Sequence, residues 1–304
     1  EHTLEKAKKD RSQLIKACRA NFSPIFGLFS DPTCEIDKKL LLTADKKEIG
    51  GVEQPGVAHR VWKIDDSEAI RFLSQAFSEN KIYIADGHHR YETALTYSKS
   101  QEENDDSSHV MMFLANLDSG SISISPIHRV VKISKEFNQD TFLKDLEPYF
   151  EIKLLDPNTS SEEITSLLKT LQEQSKIAFV AYLKRDKYYL LTVKKTEAVI
   201  PLLEKDEPAD LQILGVSQLH SIVIKTILGV NTRVAENQKN VSYTTDIAEA
   251  IENVDVGTGD VAFFLNPTPV SQVRELAGNG IRLPQKATYF YPKLLSGLVI
   301  NRFS

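Results

Sequence analysis

Apolar positions along this chain alternate between two periods, and each change of period marks an expected element. Leu4, Ala7, Leu14, Ile15 and Cys18 fall on one face of a helix expected over 4–20, with charged residues filling its outer face. Ser23-Pro-Ile-Phe-Gly-Leu-Phe reads as a short strand that stops at the Asp31-Pro32 turn. A helix near 35–44, a Gly/Pro loop at 50–56 and a strand from Ala58 to Ile64 follow. Asp66 or Ser67 then supplies the N-cap of a helix over 67–78. Ile82 and Ile84 alternate with Tyr83 and Ala85 as in a short buried strand, and from Tyr91 to Tyr97 the placing of Ala94, Leu95 and Thr96 suits one helical face. The polar stretch 99–108 is a loop or helix end, 110–117 a buried strand, and Ile122 to Ile124 a further strand.

From about residue 130 the alternation resumes. Strands over 129–133, 151–155, 177–184 and 187–193, with helices over 136–150 and 160–174, make one α/β unit. The segment 194–210 is polar, carries Pro201 and Pro208, and reads as a linker or irregular excursion. An apolar helix over 211–228 stops at Gly229. A strand near Val241 to Tyr243, a helix at 246–252, a strand at 260–265, a helix after Asn266-Pro-Thr-Pro and a compact tail complete the chain. The pattern predicts a mixed α/β (α+β) fold in two lobes, 1–130 and 131–304, without internal repeats.

The 304 residues suit one large or two ordinary domains, and 41% hydrophobic with 26% charged residues is the balance of a globular protein. Apolar runs such as Val261 to Leu265 and Ile177 to Leu183 are strand-sized, far short of the roughly 20 residues of a membrane helix. No secretory leader is visible at the front, and with 2 cysteines a disulfide framework is not expected, so the cytoplasm is the natural compartment. A net charge of −5 and no polybasic block beyond Lys6, Lys8, Lys9, Arg11 and Lys194-Lys195 argue against a large nucleic-acid footprint. A single bound nucleotide is compatible with that charge. The chain opens at Glu1 without a Met and runs straight into a helical pattern, so it reads as a fragment.

The chemistry concentrates where the period switches from two to three-to-four. Asp86-Gly-His-His-Arg places one carboxylate, two imidazoles and one guanidinium at a strand-to-helix corner. A helix N-terminus there offers unpaired backbone N–H groups and the positive end of the dipole. His88, His89 and Arg90 add donors, and Gly87 has no Cβ to obstruct a close ligand. The corner therefore suits an anion, in the first instance a phosphate. A plain Asp-Gly turn, with Arg90 pairing to Glu92 or Asp86, explains the same residues without a ligand. Zinc is the weaker idea, because adjacent histidines in a turn rarely point the same way and Cys18 and Cys34 lie near no histidine in sequence.

A second polar group occupies the tail, where Arg282, Lys286, Lys293, Thr288, Tyr289 and Tyr291 make a phosphate or carboxylate clamp or, equally, a solvated loop anchored by its aromatics. His128-Arg129 is either a third cationic element or the start of a strand.

The chain resembles, along nearly its whole length, the microbial family called domain of unknown function 1015. The resemblance rests on Asn21-Phe-Ser-Pro-Ile-Phe-Gly-Leu-Phe, Tyr83-Ile-Ala-Asp-Gly-His-His-Arg-Tyr-Glu-Thr-Ala-Leu, Pro126-Ile-His-Arg-Val-Val, Asn266-Pro-Thr-Pro and Leu283-Pro-Gln-Lys-Ala-Thr-Tyr-Phe-Tyr-Pro-Lys-Leu. It implies a further segment ahead of a His-Glu-x-Thr motif, inside which this chain begins at Glu1 and Thr3. The Asp-Gly-His-His-Arg signature is also similar to that of free-serine kinases of the ParB/sulfiredoxin-like superfamily. That similarity implies a ParB/sulfiredoxin-like phosphate-binding lobe over 1–130, with the tail cluster as a second wall of the site.

Two function classes follow from the resemblance. In the first, phosphate moves from ATP, ADP or pyrophosphate to the hydroxyl of a small metabolite, free L-serine being the first candidate. Glu1 is then the base and Asp86 a Mg²⁺ ligand or base orienter, while Gly87, His88, His89 and Arg90 hold the phosphate and Lys286 and Lys293 are auxiliary cations. In the second, the chain is a non-catalytic ParB-like nucleotide sensor. A phosphate-ester hydrolase is a third, weaker idea, and assembly as a homo-oligomer is left open.

Overall fold

The computed structural model describes residues 5–44, 48–54, 57–101, 106–133, 136–194, 199–203, 208–232, 234–284 and 286–303. The chain divides into two compact units: Glu1–Ser123 with Phe290–Ser304, and Ile124–Tyr289. The division thus falls seven residues or so before the expected boundary at 130, and the end of the tail belongs to the first unit, not the second. Its aromatic side chains explain why. Phe303 is buried and stacks on Tyr97 at 6.0 Å, Phe290 meets Phe26 edge-on at 5.9 Å, and Asn301–Arg302 pair with Ala20–Asn21 as a two-stranded ribbon. Burial of that apolar area is what brings the tail home.

The first unit begins with α1 (Glu5–Cys18) and the short β1 (Ala20–Asn21), followed by β2 (Ile25–Phe29) and α2 (Glu35–Thr43). Next come the hairpin β3 (Glu48–Gln54) and β4 (Val57–Trp62), then α3 (Ser67–Glu79), β5 (Tyr83–Asp86), α4 (His88–Ser98) and β6 (Met112–Asn116). β2 is the centre of a three-stranded sheet, parallel to β6 and antiparallel to β5. Every residue of β2 is buried, as the apolar run Ile-Phe-Gly-Leu-Phe requires of a strand covered on both faces. Gly27 makes room there, since a Cβ would meet Leu114 Cδ2 at 2.7 Å and Ile82 Cγ2 at 2.8 Å and push those side chains aside. α3 starts as expected, with the Asp66 carboxylate accepting the Ala69 N–H at 2.7 Å. The Gly/Pro stretch expected as a loop is instead largely strand β3. A Cβ on Gly51 would lie 2.8 Å from the His59 carbonyl, so the glycine lets the two strands close, and Arg60 ties them by pairing with Glu48 and Glu53, each at 3.0 Å.

The second unit is built on a six-stranded, wholly antiparallel sheet. After the short β7 (Ser123–Ser125) its strands are β8 (His128–Val131), β9 (Phe150–Leu154), β10 (Ala178–Leu183), β11 (Lys187–Val193), β12 (Val241–Thr244) and β13 (Val261–Phe264), in the order β12-β8-β13-β10-β11-β9. α5 (Gln139–Leu146) and the segment 209–228 cover one face; α6 (Ser161–Glu173) and the helix Ile247–Asp255 cover the other. The period-two pattern sorts the residues. Phe179, Ala181 and Leu183 face the first cluster, Ala178, Val180 and Tyr182 the second. α6 opens with a full capping box between Ser160 and Glu163.

Two expectations change here. The apolar helix over 211–228 is broken into Ala209–Gln212, Gly215–Gln218 and a π-helical stretch Leu219–Ile227, because Leu214 is extended at the junction, before the left-handed Gly229 ends the run. Part of the expected linker is core: Val199 is fully buried and Leu203 nearly so. Apolar residues flanking a proline found more stabilisation inside than in solvent.

Candidate anion site at a strand-to-helix corner

β5 ends at Asp86, and α4 begins at His88, three residues earlier than the apolar spacing predicts, so His88, His89 and Arg90 form the first helical turn rather than the preceding loop. Gly87 makes the junction with φ 94° and ψ 22°, a left-handed conformation that favours glycine. Space gives a second reason: a Cβ on Gly87 would come within 2.8 Å of Arg90 Nη2. Gly87 has no side chain with which to cap the helix, so the first-turn N–H groups keep their anion-facing character.

Arg90 folds back beneath this turn. Its Nη2 donates to the Pro24 carbonyl at 3.1 Å and to the Asp86 carboxylate at 3.3 Å, and its Nε is buried without a partner. The local Arg90–Asp86 pairing is therefore real, and Arg90 also straps the corner to the start of β2. The Asp86 side chain keeps about half its exposure, 49%, and uses Oδ2 for Arg90. A Mg²⁺ ion held by one carboxylate plus phosphate oxygens and water fits such a residue, since magnesium keeps several waters and seldom takes an all-protein cage. Among the described residues no group of three or more His, Cys, Asp or Glu converges to hold a metal by itself.

His88 is a neutral donor at this corner. Burial pushes its pKa from 6.5 down to about 4, so at pH 7 it is a neutral imidazole offering one N–H and one lone pair. His89 is partly buried beside it. Glu1 and Thr3 lie outside the described residues. Of the two tail lysines, Lys293 belongs to the first unit and Lys286 to the second, so the 282–293 cluster is shared between units. Lys286 sits at a left-handed turn with φ 59°, its own carbonyl accepting from Arg129.

The second unit holds a polar cluster that the sequence showed only as His128-Arg129 in an apolar strand. Arg129 is 1% exposed. It donates through Nε to His220 Nε2 at 3.3 Å, through Nη2 to the Lys286 carbonyl at 2.7 Å and through Nη1 to the Ile127 carbonyl, with its Cζ over the Tyr243 ring at 5.6 Å. Because the arginine only donates, His220 Nε2 must be an acceptor, and that ring is neutral with its proton on Nδ1. Burial, then the Arg129 charge, pushes the His220 pKa down to about 3. His128 points to the other face of the sheet, against Phe264 at 5.4 Å, with its pKa lowered to about 4, first by burial.

These three histidines make a pH prediction. Their folded values lie below the ordinary 6.5, so between 6.5 and about 4 the unfolded chain binds more protons than the folded one. Stability is complete above about 6.5 and falls with acidification, by about 1.4 kcal/mol per pH unit for each of His128 and His220. By NMR, the Hε1 signals of His88, His128 and His220 should stay flat from pH 8 to 5.5. Midpoints near 6.5 would show that the rings are not buried neutral.

A two-unit mixed α/β chain with a glycine-capped, histidine- and arginine-bearing strand-to-helix corner is the class of protein defined so far. The chain belongs to the family described as "Protein of unknown function (DUF1015)", whose model matches residues 1–217. Among solved structures it is similar to a conserved hypothetical protein from Pyrococcus furiosus, at 10% identity and TM-score 0.43 over 97% of this chain and 88% of that one. It is also similar to a free serine kinase in complex with AMP, at 12% identity and TM-score 0.43 over 97% and 85%. A third similarity is to SbnI with C-terminal truncation from Staphylococcus aureus, at 11% identity and TM-score 0.44 over 99% and 82%. No curated protein matches the chain. No helix among the described residues is long and apolar enough to cross a membrane.

Proposed function

We propose that the chain is a cytoplasmic phosphotransferase that moves phosphate from ATP, ADP or pyrophosphate to the hydroxyl of a small metabolite, free L-serine being the first candidate. The observation that carries this reading is the uncapped first turn of α4, where backbone N–H groups, His88, His89 and Arg90 meet at left-handed Gly87. The first unit is read as a ParB/sulfiredoxin-like phosphate-binding lobe. Phosphoryl transfer asks mainly for positioning and charge neutralisation, which a helix N-terminus and a strapped guanidinium supply. The acceptor oxygen attacks the terminal phosphorus as the bond to the bridging oxygen breaks; the hydroxyl proton passes to the Glu1 carboxylate. His88, being neutral, donates a hydrogen bond to a phosphate oxygen without adding charge. Bound Mg²⁺ on Asp86 would neutralise charge on the donor. Lys286 and Lys293 are read as auxiliary cations.

The test is incubation with Mg²⁺, L-serine and each donor in turn, with ³¹P NMR for O-phosphoserine. Absence of product with every donor and hydroxyl acceptor removes the enzyme reading. A non-catalytic nucleotide sensor is the second reading, favoured by the engagement of the Arg90 guanidinium with Asp86 and Pro24. In either case Arg90→Ala should weaken donor binding by about 1.5–3 kcal/mol, the range of a charge-assisted hydrogen bond. Calorimetry giving an unchanged Kd would place the phosphate elsewhere.

A further inference from the structure

We propose that a small cavity behind the first turn of α4 binds the carboxylate end of a short-chain organic acid. The cavity lies wholly in the first unit and has a volume of about 60 Å³. Its polar lining includes Arg11 from α1, Ser23, and Arg90 and Thr93 from α4; Ile15 and Ile25 are on its apolar side. Arg90 and Thr93 are three apart on one helix and so share a face.

Two features point to a missing partner. Thr93 is 6% exposed and its hydroxyl has no hydrogen-bond partner. Arg90 Nε is buried and equally unpartnered. A buried polar group without a partner costs about 1–3 kcal/mol, and two on the wall of one cavity are accounted for by a ligand that accepts from both. The charge of that ligand follows from the lining, which holds two arginines and no acidic residue. The carboxylate paired with the Arg90 guanidinium among the described residues is that of Asp86, 3.3 Å from Nη2.

Size and polarity select the class. At about 10–15 Å³ for each water-sized group the cavity admits about four to six non-hydrogen atoms. Inorganic phosphate is small enough, but it carries oxygens on every side, and those turned toward Ile15 and Ile25 would find no donor. A carboxylate directs both oxygens at the arginine fork and the Thr93 hydroxyl and leaves its alkyl end against the apolar wall. The cavity shares Arg90 with the phosphate corner but takes a different ligand and requires no phosphoryl transfer.

The experiment is ligand-observed NMR and calorimetry on the whole chain with propionate, its uncharged isostere propionamide, and inorganic phosphate, with no phosphate donor present. Propionate should bind at least about tenfold tighter than propionamide, and phosphate should not displace it. Arg11→Gln, an exposed position, and Thr93→Val, which keeps the shape and removes the hydroxyl, should each weaken propionate about tenfold. Thr93→Val should also raise the Tm of the ligand-free protein, a change that checks folding and the unpartnered hydroxyl together. Equal binding of propionate and propionamide, displacement of bound propionate by phosphate at matched concentration, or propionate affinity unmoved by both variants overturns the proposal. Because no turnover is measured, failure of the phosphotransferase reading leaves this result standing, and a working kinase with an empty cavity would sink the cavity alone.

Discussion

Arg129→Ala is expected to destabilise the protein by about 3–5 kcal/mol, because it leaves buried acceptors unpaired at about 1–3 kcal/mol each and opens a cavity. Arg129 is buried at 1% exposure, and burial lowers its pKa only to about 10, so it is charged at pH 7 inside the second unit. Its charge is spread over the Ile127 and Lys286 carbonyls, His220 and the Tyr243 face. Truncation leaves two carbonyls and the His220 acceptor unpaired beside a void against Tyr243. It also frees the Lys286 turn on one side, while the Thr268 Oγ1 bond to the Ala287 carbonyl at 3.0 Å and the Ala287 N–H bond to the Pro284 carbonyl at 3.2 Å persist. Arg129→Lys should be intermediate, keeping charge but losing the fork. Urea titration reads the result as a fall in midpoint at constant slope. A loss below about 1 kcal/mol would mean that water or neighbouring groups replace the guanidinium without difficulty.

The second large effect is on turnover. If Glu1 accepts the hydroxyl proton, Glu1→Gln keeps size and polarity but removes basicity, so donor binding should persist while turnover falls by about 10² to 10⁴. The comparison is donor affinity and product formation on matched wild-type and Gln proteins. Equal turnover would take Glu1 out of the mechanism and leave Asp86 as the carboxylate at the signature.

The corner was legible because local rules govern it. A Gly between a strand-length apolar run and a helical one marks the turn, and the change of period at Asp86 marks where the elements meet. Asp66 as N-cap and the antiparallel strands around Arg185-Asp186 were readable for the same reason: each depends on neighbours within a few residues. Misreadings arose where spacing was ambiguous. Gly50 and Gly51 look like loop but let β3 and β4 close, and the apolar run after Leu211 looks like one helix but breaks at extended Leu214.

What charge a residue carries, and whom it touches, was decided at long range. His88 in sequence is an imidazole that titrates close to neutrality; in the folded chain burial keeps it neutral down to about pH 4. Arg90 in sequence has only local partners, Asp86 or Glu92, and in the folded chain it is also held by the Pro24 carbonyl, 66 positions away. Arg129 and His220 are 91 positions apart and give no sign of each other until β8 and the π-helical stretch pack together. Hydrophobic period and cap chemistry therefore determine the elements, because they act through backbone geometry over one or two turns. Protonation state, the return of the tail to the first unit and the cavity beside Thr93 follow only from tertiary packing, because desolvation and contact depend on every segment that closes over a group.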